Sequence, residues 1–292
     1  MTAPGEQRPT EAQPAPARGI ALVTGASRGI GRASALALAS AGYDVVACAR
    51  TMIDGERRLE DDESIVVPGG IDTTVDKIRG YGRRALGMPL DLLDRASIDT
   101  AIDNALEHFG RIDVVVNNAI YQGPGAMVEI LDVEPGHLEP MFEANVHAQI
   151  HIIQRCLPGM LAHGSGTVVN MISATAHTAP PARIGAGGWG VAYAMTKAAL
   201  ARVAPILHVE HGDQGVLAFS VDPGFVINER MVAAGRDRVY REHAVGVTPE
   251  VIGAVVAWLA TDPEAAELTG QTVMAQREFR HRGLTPGPGA AA

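Results

Sequence analysis

The sequence predicts one α/β domain built on a doubly wound parallel sheet of about seven strands, with helices on both faces. Three observations carry this. Apolar runs of strand length alternate with helical segments along most of the 292 residues, as right-handed β-α-β crossovers require. The first run, Ile20-Ala21-Leu22-Val23-Thr24, stops at a glycine-rich turn that opens an Ala-rich helix. Gly25, Arg50, Asp91, Asn117, Ser173 and the pair Pro223-Gly224 all fall at the carboxyl ends of expected strands. Ligands of such sheets gather there.

Residues 1–18 are rich in Pro, Ala, Gln and Glu without periodicity, and are expected to be a disordered tail. The run from Ile20 to Thr24 is continuously apolar, which suits a buried parallel strand. Gly25, Gly29 and Gly31 follow within a few residues, and Arg32 to Ala41 reads as a helix. Glycines let the backbone approach a pyrophosphate, and a helix N-terminus offers free N–H groups and positive dipole. The spacing is Gly-x-x-x-Gly-x-Gly rather than the G-x-G-x-x-G fingerprint. Asp44 to Ala49 reads as the second strand, ending at Arg50. Residues 51–70 are polar, acidic over Glu60-Asp61-Asp62-Glu63, and end in Pro68-Gly69-Gly70. That is long for a connection, so the segment is either a lid near an adenosine site or a mobile excursion.

Ile71 to Gly82 reads as a helix, and Ala85 to Leu90 as a third strand that ends at Asp91. Ser97 to Phe109 is amphipathic, and Ile112 to Val116 is the fourth strand before Asn117-Asn118-Ala119. Pro135 to Leu161 is expected to hold one long helix with Asn145 near its middle. Val168 to Ile172 is the fifth strand, with Ser173 at its end. A loop rich in Gly and Pro then leads to a helix carrying Tyr193. Val216 to Val221 is the sixth strand, ended by Asp222-Pro223-Gly224. A helix starts at Thr248-Pro249-Glu250, with Thr as N-cap and Pro at N1. Thr272 to Ala275 is the last strand. The catalytic domain is thus expected to span 19–276, and 277–292 to be a flexible C-terminal tail.

Composition narrows the function. The net charge is −9 and no long basic run occurs, which argues against nucleic acid as a partner. No apolar run reaches the length of about 18 residues that a membrane span needs. The N-terminus lacks the basic-then-apolar order of a signal peptide, so a cytoplasmic protein is expected. Cys48 and Cys156 lie in apolar stretches, and two cysteines alone build neither a disulfide framework nor a zinc site. No metal site is expected.

The chemistry centres on Tyr193-Ala194-Met195-Thr196-Lys197. Residues four apart share one face of a helix. An ammonium beside a phenol favours the phenolate and lowers its pKa from about 10. Such a phenol can give or take a proton near neutral pH. At the other end, the second strand closes on Arg50, where an acid would be expected to hold an NAD ribose. Arg28 adds a cation from the Gly-rich turn, and both suit a 2′-phosphate. NADP(H) is therefore the favoured cofactor, with NAD(H) possible.

With these residues in place, about 19–275 resembles the classical short-chain dehydrogenase/reductase family. The matching motifs are Thr24-Gly25-Ala26-Ser27-Arg28-Gly29-Ile30-Gly31, Asp91, Asn117-Asn118-Ala119, Asn145, Ser173, Tyr193-x-x-x-Lys197 and Pro223-Gly224. The resemblance implies a Rossmann-type fold, a nicotinamide cofactor and a catalytic group of Asn145, Ser173, Tyr193 and Lys197. It places the Gly-rich turn, Asp91 and Asn118 on the cofactor, and the residues after Pro223-Gly224, including Val226, near the nicotinamide. In the implied roles Tyr193 moves the proton, and Lys197 tunes Tyr193 and holds the ribose. Ser173 bonds the substrate oxygen, and Asn145 holds a relay water. A homodimer or homotetramer is implied as well.

Four positions depart from the family pattern. Ile120 follows Asn-Asn-Ala in place of Gly, and Asn228 stands where a Thr is common. The Ser173–Tyr193 gap is long, and Met274-Ala275-Gln276-Arg277 replaces a glycine-rich turn. Ile120, Tyr121, Ala174, Ala176, Trp189, Phe225 and Val226 suggest a hydrophobic alcohol or ketone. Competing readings are a non-catalytic NADP-binding regulator, an NAD-dependent dehydrogenase with a lid at 51–70, and an epimerase or dehydratase on the same fold. The last needs a larger C-terminal substrate domain than the residues after 225 leave room for.

Overall fold

A computed structural model describes residues 16–59, 62–184, 186–235 and 246–289. Seven parallel strands form one sheet in the order β3-β2-β1-β4-β5-β6-β7. They are β1 Ile20–Thr24, β2 Asp44–Ala49, β3 Ala85–Pro89, β4 Val114–Asn117, β5 Gly166–Met171, β6 Val216–Asp222 and β7 Thr272–Met274. The order reverses between β1 and β4. That switch point opens a crevice at the carboxyl edge.

The helices are α1 Gly29–Ser40, α2 Ile71–Gly80, α3 Arg95–Phe109, α4 Pro135–Phe142 and α5 Ala148–His163. They continue with α6 Val191–Ala201, α7 Val203–His211, α8 Glu229–Ala233, α9 Pro249–Thr261 and α10 Ala275–His281. Alternation along each strand decides the layers. Ala21 and Val23 of β1 face the layer that holds Ala35 of α1, Val75 of α2 and Val255 of α9. Ile20 and Leu22 face the opposite layer, with Ile98 of α3, Ile152 of α5 and Leu207 of α7. Both faces are therefore covered, which is why these strands read as unbroken apolar runs. Leu22 is fully buried, and truncating such a side chain to Ala costs about 2–5 kcal/mol.

The expected long helix over 135–161 is an unbroken helical run with an irregular turn inside it, which divides it into α4 and α5. Between α4 and α5 the chain makes a π-helical turn, Glu143–His147, with Asn145 at its centre. A π-turn adds one residue to the helical repeat and re-aims the helix beyond it.

Two expected loose segments are ordered. Residues 277–289 are not a free tail. Helix α10 covers the first part, and Phe279 and Leu284 pack against the core. The Arg282 guanidinium lies 4.0 Å from the Trp258 ring centroid and pairs with Glu264 and Glu278. The Gly287 N–H reaches Glu250 O at 3.0 Å. Apolar spacing and one stacked arginine hold what a Gly/Pro/Ala composition hid. Residues 51–59 and 62–70 are docked as well. An antiparallel bridge joins Arg58 to Val66, and Arg28 donates to Pro68 O at 2.9 Å and Gly69 O at 2.7 Å. The centre of the acidic run, residues 60 and 61, lies outside the described residues. So do residues 1–15 of the expected N-terminal tail, whereas the Arg18 N–H already bonds Gly42 O at 2.9 Å.

Candidate active site

The glycine-rich turn is built by exclusion. A Cβ at Gly31 would stand 2.1 Å from Gly25 O, so no larger residue fits. Gly25 and Gly29 have φ of +67° and +56°, which other residues rarely adopt. Gly29 opens α1, and its N–H is accepted by a Glu229 carboxylate oxygen at 2.9 Å. The same carboxylate pairs with Arg32. A carboxylate already bound at this helix N-terminus shows that the donors suit an oxyanion, so a cofactor pyrophosphate fits them. Ser27 is buried in the turn, and Ile30 packs half-buried against the core.

Asn118 has a different place from the one expected. Its Nδ2 donates to Thr24 O at 2.9 Å and Gly25 O at 3.4 Å. Thr24 Oγ1 in turn accepts from the Asn118 and Ala119 N–H groups, each at 3.0 Å. The side chain is a strut behind the turn, because its donor is taken by two carbonyls. Asn117 points into the interior and bonds Asn170 Oδ1 at 3.0 Å.

Gly25, Ser27, Arg28, Arg50 and Asp91 come together on one cleft. Arg50 stands exposed at the end of β2, where the sequence put it. Arg28 lines the cleft but its guanidinium braces the 51–70 segment. That segment brings two cations that the motifs did not mark, Arg57 and Arg58, onto the same wall. Arg230 lines the cleft as well. The sequence signal of the first two is slight, a pair of arginines inside an otherwise acidic excursion.

The catalytic candidates lie around α6. Ser173 follows β5, and its Oγ accepts from the Thr175 N–H at 3.3 Å. Ser173 and Gln122 lie beside the Tyr193 hydroxyl and favour its ionised form. Gln122 comes from the loop after β4, and nothing in its sequence context marks it. Lys197 is 4% exposed, and its ammonium donates to Met171 O at 2.6 Å. Burial pulls its pKa down to about 8. The expectation that Lys197 lowers the Tyr193 pKa is not met in this geometry. Burial pushes the phenol above its ordinary value, Ser173 and Gln122 pull it back, and the Asp222 charge adds to the rise. The ammonium is held by a backbone carbonyl instead.

Asn145 also differs from expectation. Its Oδ1 accepts from the Tyr121 N–H at 2.8 Å, and its Nδ2 donates to Tyr121 O at 3.0 Å. This two-way clamp engages the carboxamide expected to hold a relay water. The π-turn aims Asn145 at the loop, and the clamp gives a firm backbone after Ile120, the position lacking the family's glycine. Tyr121 and Tyr193 then share an apolar cluster with Ala126, Met141 and Ala192.

Pro223-Gly224 ends β6. Gly224 has φ +65°, and its N–H donates to Asp222 Oδ1 at 2.8 Å. Gln276, from the atypical C-terminal segment, donates to Pro223 O and Phe225 O, both at 3.0 Å. It splints the turn that precedes Val226. Val226 is buried in a bridge with Val247. Asn228, in the position of the family's threonine, caps α8 by accepting from the Met231 N–H at 3.0 Å.

Comparisons with known proteins agree with this fold. The family model described as short chain dehydrogenase matches residues 19–238. A cyclohexanol dehydrogenase from Rhodococcus sp. is 33% identical over 259 residues, covering 85% of this chain and 91% of that protein. A short-chain reductase protein from Streptomyces niveus is 32% identical, covering 87% and 91%. Among solved structures, a candidate short-chain alcohol dehydrogenase from Sinorhizobium meliloti superposes with TM-score 0.74 at 25% identity, covering 91% and 97%. Carveol dehydrogenase from Mycobacterium avium, in complex with NAD, shares the fold with TM-score 0.72 at 22% identity, covering 88% and 96%. No described helix is long and apolar enough to cross a membrane. The sheet order, the switch-point cleft and the family match over 19–238 together make this chain an oxidoreductase of the short-chain dehydrogenase family, which uses nicotinamide dinucleotides.

Proposed function

We propose that the protein is an NADP(H)-preferring enzyme that interconverts a compact, apolar secondary alcohol and its ketone. The observation that carries the cofactor choice is the arginine-lined wall, with Arg50, Arg57 and Arg58 together on the adenosine end of the cleft. Guanidinium groups bind phosphate with charge-assisted, often bidentate bonds. The cleft supports the substrate class, since Ala119, Ile120 and Tyr121 line it with apolar side chains. The cyclohexanol dehydrogenase relative is named for a substrate of that kind.

A bound nicotinamide would supply or accept the hydride. The chain's own groups handle the proton and the oxygen. In reduction Tyr193 gives its hydroxyl proton to the carbonyl oxygen, and in oxidation the phenolate takes it back. Ser173 bonds the same oxygen as charge develops. Lys197, fixed on Met171 O, faces the ribose side of the cleft in this reading, and Asn145 acts through Tyr121. The reading keeps the cytoplasmic setting expected from the sequence. It also includes assembly as a dimer or tetramer through the 135–161 and 193–211 helices. Met195, Ile206 and Val209 are exposed there, Val209 by 82%. A monomer mass by light scattering at micromolar concentration would remove that part.

The main test compares kcat/KM with NADPH and NADH over cyclic, aliphatic, terpenoid and acyl-thioester carbonyls. Faster turnover of cyclic ketones with NADPH is expected. Preference for NADH, or for charged carbonyls, would overturn the proposal.

A further inference from the structure

Gln276 is the second residue of α10, which begins directly at the end of β7. The sheet register pairs Asp222 of β6 with Met274 of β7. Two residues beyond that pair, Gly224 and Gln276 stand side by side. A Cβ on Gly224 would lie 2.6 Å from Gln276 Nε2. That nitrogen carries two protons, and it donates to Pro223 O and Phe225 O, both at 3.0 Å. From the β6 side, the Gly224 N–H donates to Asp222 Oδ1 at 2.8 Å. The Val247 N–H also reaches Phe225 O, at 3.1 Å.

Trans peptides are planar, so a carbonyl and the N–H that follows it point in opposite directions. Holding Pro223 O and Phe225 O on one side therefore fixes the Gly224 and Val226 N–H groups on the other. Gly224, with φ +65°, gives the turn little stiffness of its own. Its peptide planes are set from outside, by Asp222 and Gln276. A splint works only if its far end is fixed, and α10 meets that condition. Ala275 is buried, Phe279 packs against the core, and Arg282 lies on the Trp258 ring and pairs with Glu278 and Glu264.

We propose that Gln276 is a positioning residue for the nicotinamide half of the cofactor, which makes α10 part of the cofactor site. Gln276 touches neither cofactor nor substrate and acts through the backbone of Pro223, Gly224 and Phe225. The proposal rests on the reading of the residues after Pro223-Gly224, including Val226, as the nicotinamide contact. The adenosine end of the cleft is built from other parts. Arg50 ends β2 and Asp91 follows β3, at the opposite edge of the sheet from β6 and β7. Loss of the Gln276 donor should therefore divide the cofactor, weakening the hold on one half and sparing the other.

The test uses Gln276→Glu, which keeps the shape and turns a carboxylate toward the two carbonyls, and Gln276→Met, which keeps the length and removes the polar end. Calorimetry gives the affinity of each variant for NADPH and for 2′-phospho-ADP-ribose, which lacks the nicotinamide. NADH and ADP-ribose repeat the comparison, so cofactor preference does not enter. Dinucleotide affinity is expected to fall about tenfold in Gln276→Glu, the scale of one or two hydrogen bonds. Gln276→Met should lose less, and fragment affinity should stay at the wild-type value in both. A side chain that only steadies α10 would lower the unfolding midpoint of the ligand-free protein and leave the ratio of the two affinities unchanged. That result, or an equal loss for dinucleotide and fragment, overturns the proposal. Gly224→Ala disturbs the turn directly and tests the underlying reading. Selective loss of dinucleotide there, with none in the Gln276 variants, keeps the nicotinamide contact and removes Gln276 from it. No selectivity in any of the three removes the nicotinamide reading of the turn and the proposal with it. Gln276 is only partly buried, so its variants are expected to fold and decide the proposal alone should Gly224→Ala not fold.

Discussion

At the adenosine end of the cleft Arg50 and Arg58 are exposed and Arg57 is partly so. At the catalytic end Lys197 is 4% exposed, Asn145 and Asp222 1% each. The first region presents several charges near solvent. The second uses buried polar groups already bonded to their neighbours. Solvated charges are screened by salt and partly replace one another. Buried polar groups act in a low dielectric, where removing one leaves its partner unsatisfied. Changes at the catalytic end should therefore be large and specific, and changes at the adenosine end graded and sensitive to salt.

Tyr193→Phe sharpens the contrast most. It removes one oxygen and keeps the ring, so kcat should fall by about 10²–10⁴-fold. NADPH affinity, read by fluorescence titration, should stay near wild type. A variant with near wild-type rate would place the proton chemistry elsewhere.

Arg50→Asp comes next. If one arginine–phosphate contact contributes about 1.5–3 kcal/mol, the NADPH preference should drop roughly 10- to 150-fold. Arg57 and Arg58 line the same wall, so some preference should survive until they are changed too. The preference should also shrink as salt rises from low to physiological strength. A wild type that prefers NADH, or an Arg50→Asp that keeps the full preference, would break the comparison.

Lys197→Met tests the buried side through stability. Folding lowers this pKa from the ordinary 10.5 to about 8. Between those values the unfolded chain binds more protons than the folded one, so stability rises with pH across that window. Below about 8 both states are protonated and the burial cost stands in full. Denaturation midpoints of ligand-free wild type should rise between about pH 8 and about pH 10. Lys197→Met should lack that rise and should also bind NADPH more weakly. A rise of equal size in the variant would assign it to other groups.

The smallest effect is expected at 51–70. Arg28 already holds its end on Pro68 O and Gly69 O. NADPH should therefore slow hydrogen exchange mainly around Arg57 and Arg58, with little change at 67–70. Uniform protection across the segment would make it a lid in the full sense.

Legibility follows the same division. The seven strands, the residues at their ends and the helix that carries Tyr193 and Lys197 can be read from apolar runs and spacing. The place of Arg50 at the end of β2 can be read the same way. The partners of the buried groups cannot. Asn145 and Tyr121 meet through a π-turn, and an extra residue in a helix leaves no mark in a 3.6-residue pattern. Met171 O holds Lys197 through a backbone atom, which every residue type supplies. The order of 277–289 depends on Arg282 finding Trp258 across the fold, a contact with no local signature.

The π-turn at Glu143–His147 has a further consequence, for insertions and deletions. Removing one residue there would let the hydrogen-bond ladder close as a regular α-helix, a locally better-bonded backbone. Each residue turns a helix by about 100°. The deletion would therefore swing Asn145 away from Tyr121 while leaving the sheet untouched. At this one turn, a shorter and more regular chain would be the poorer enzyme. Alignment gaps between relatives at this point then report on the pocket wall rather than on tolerance of a loop.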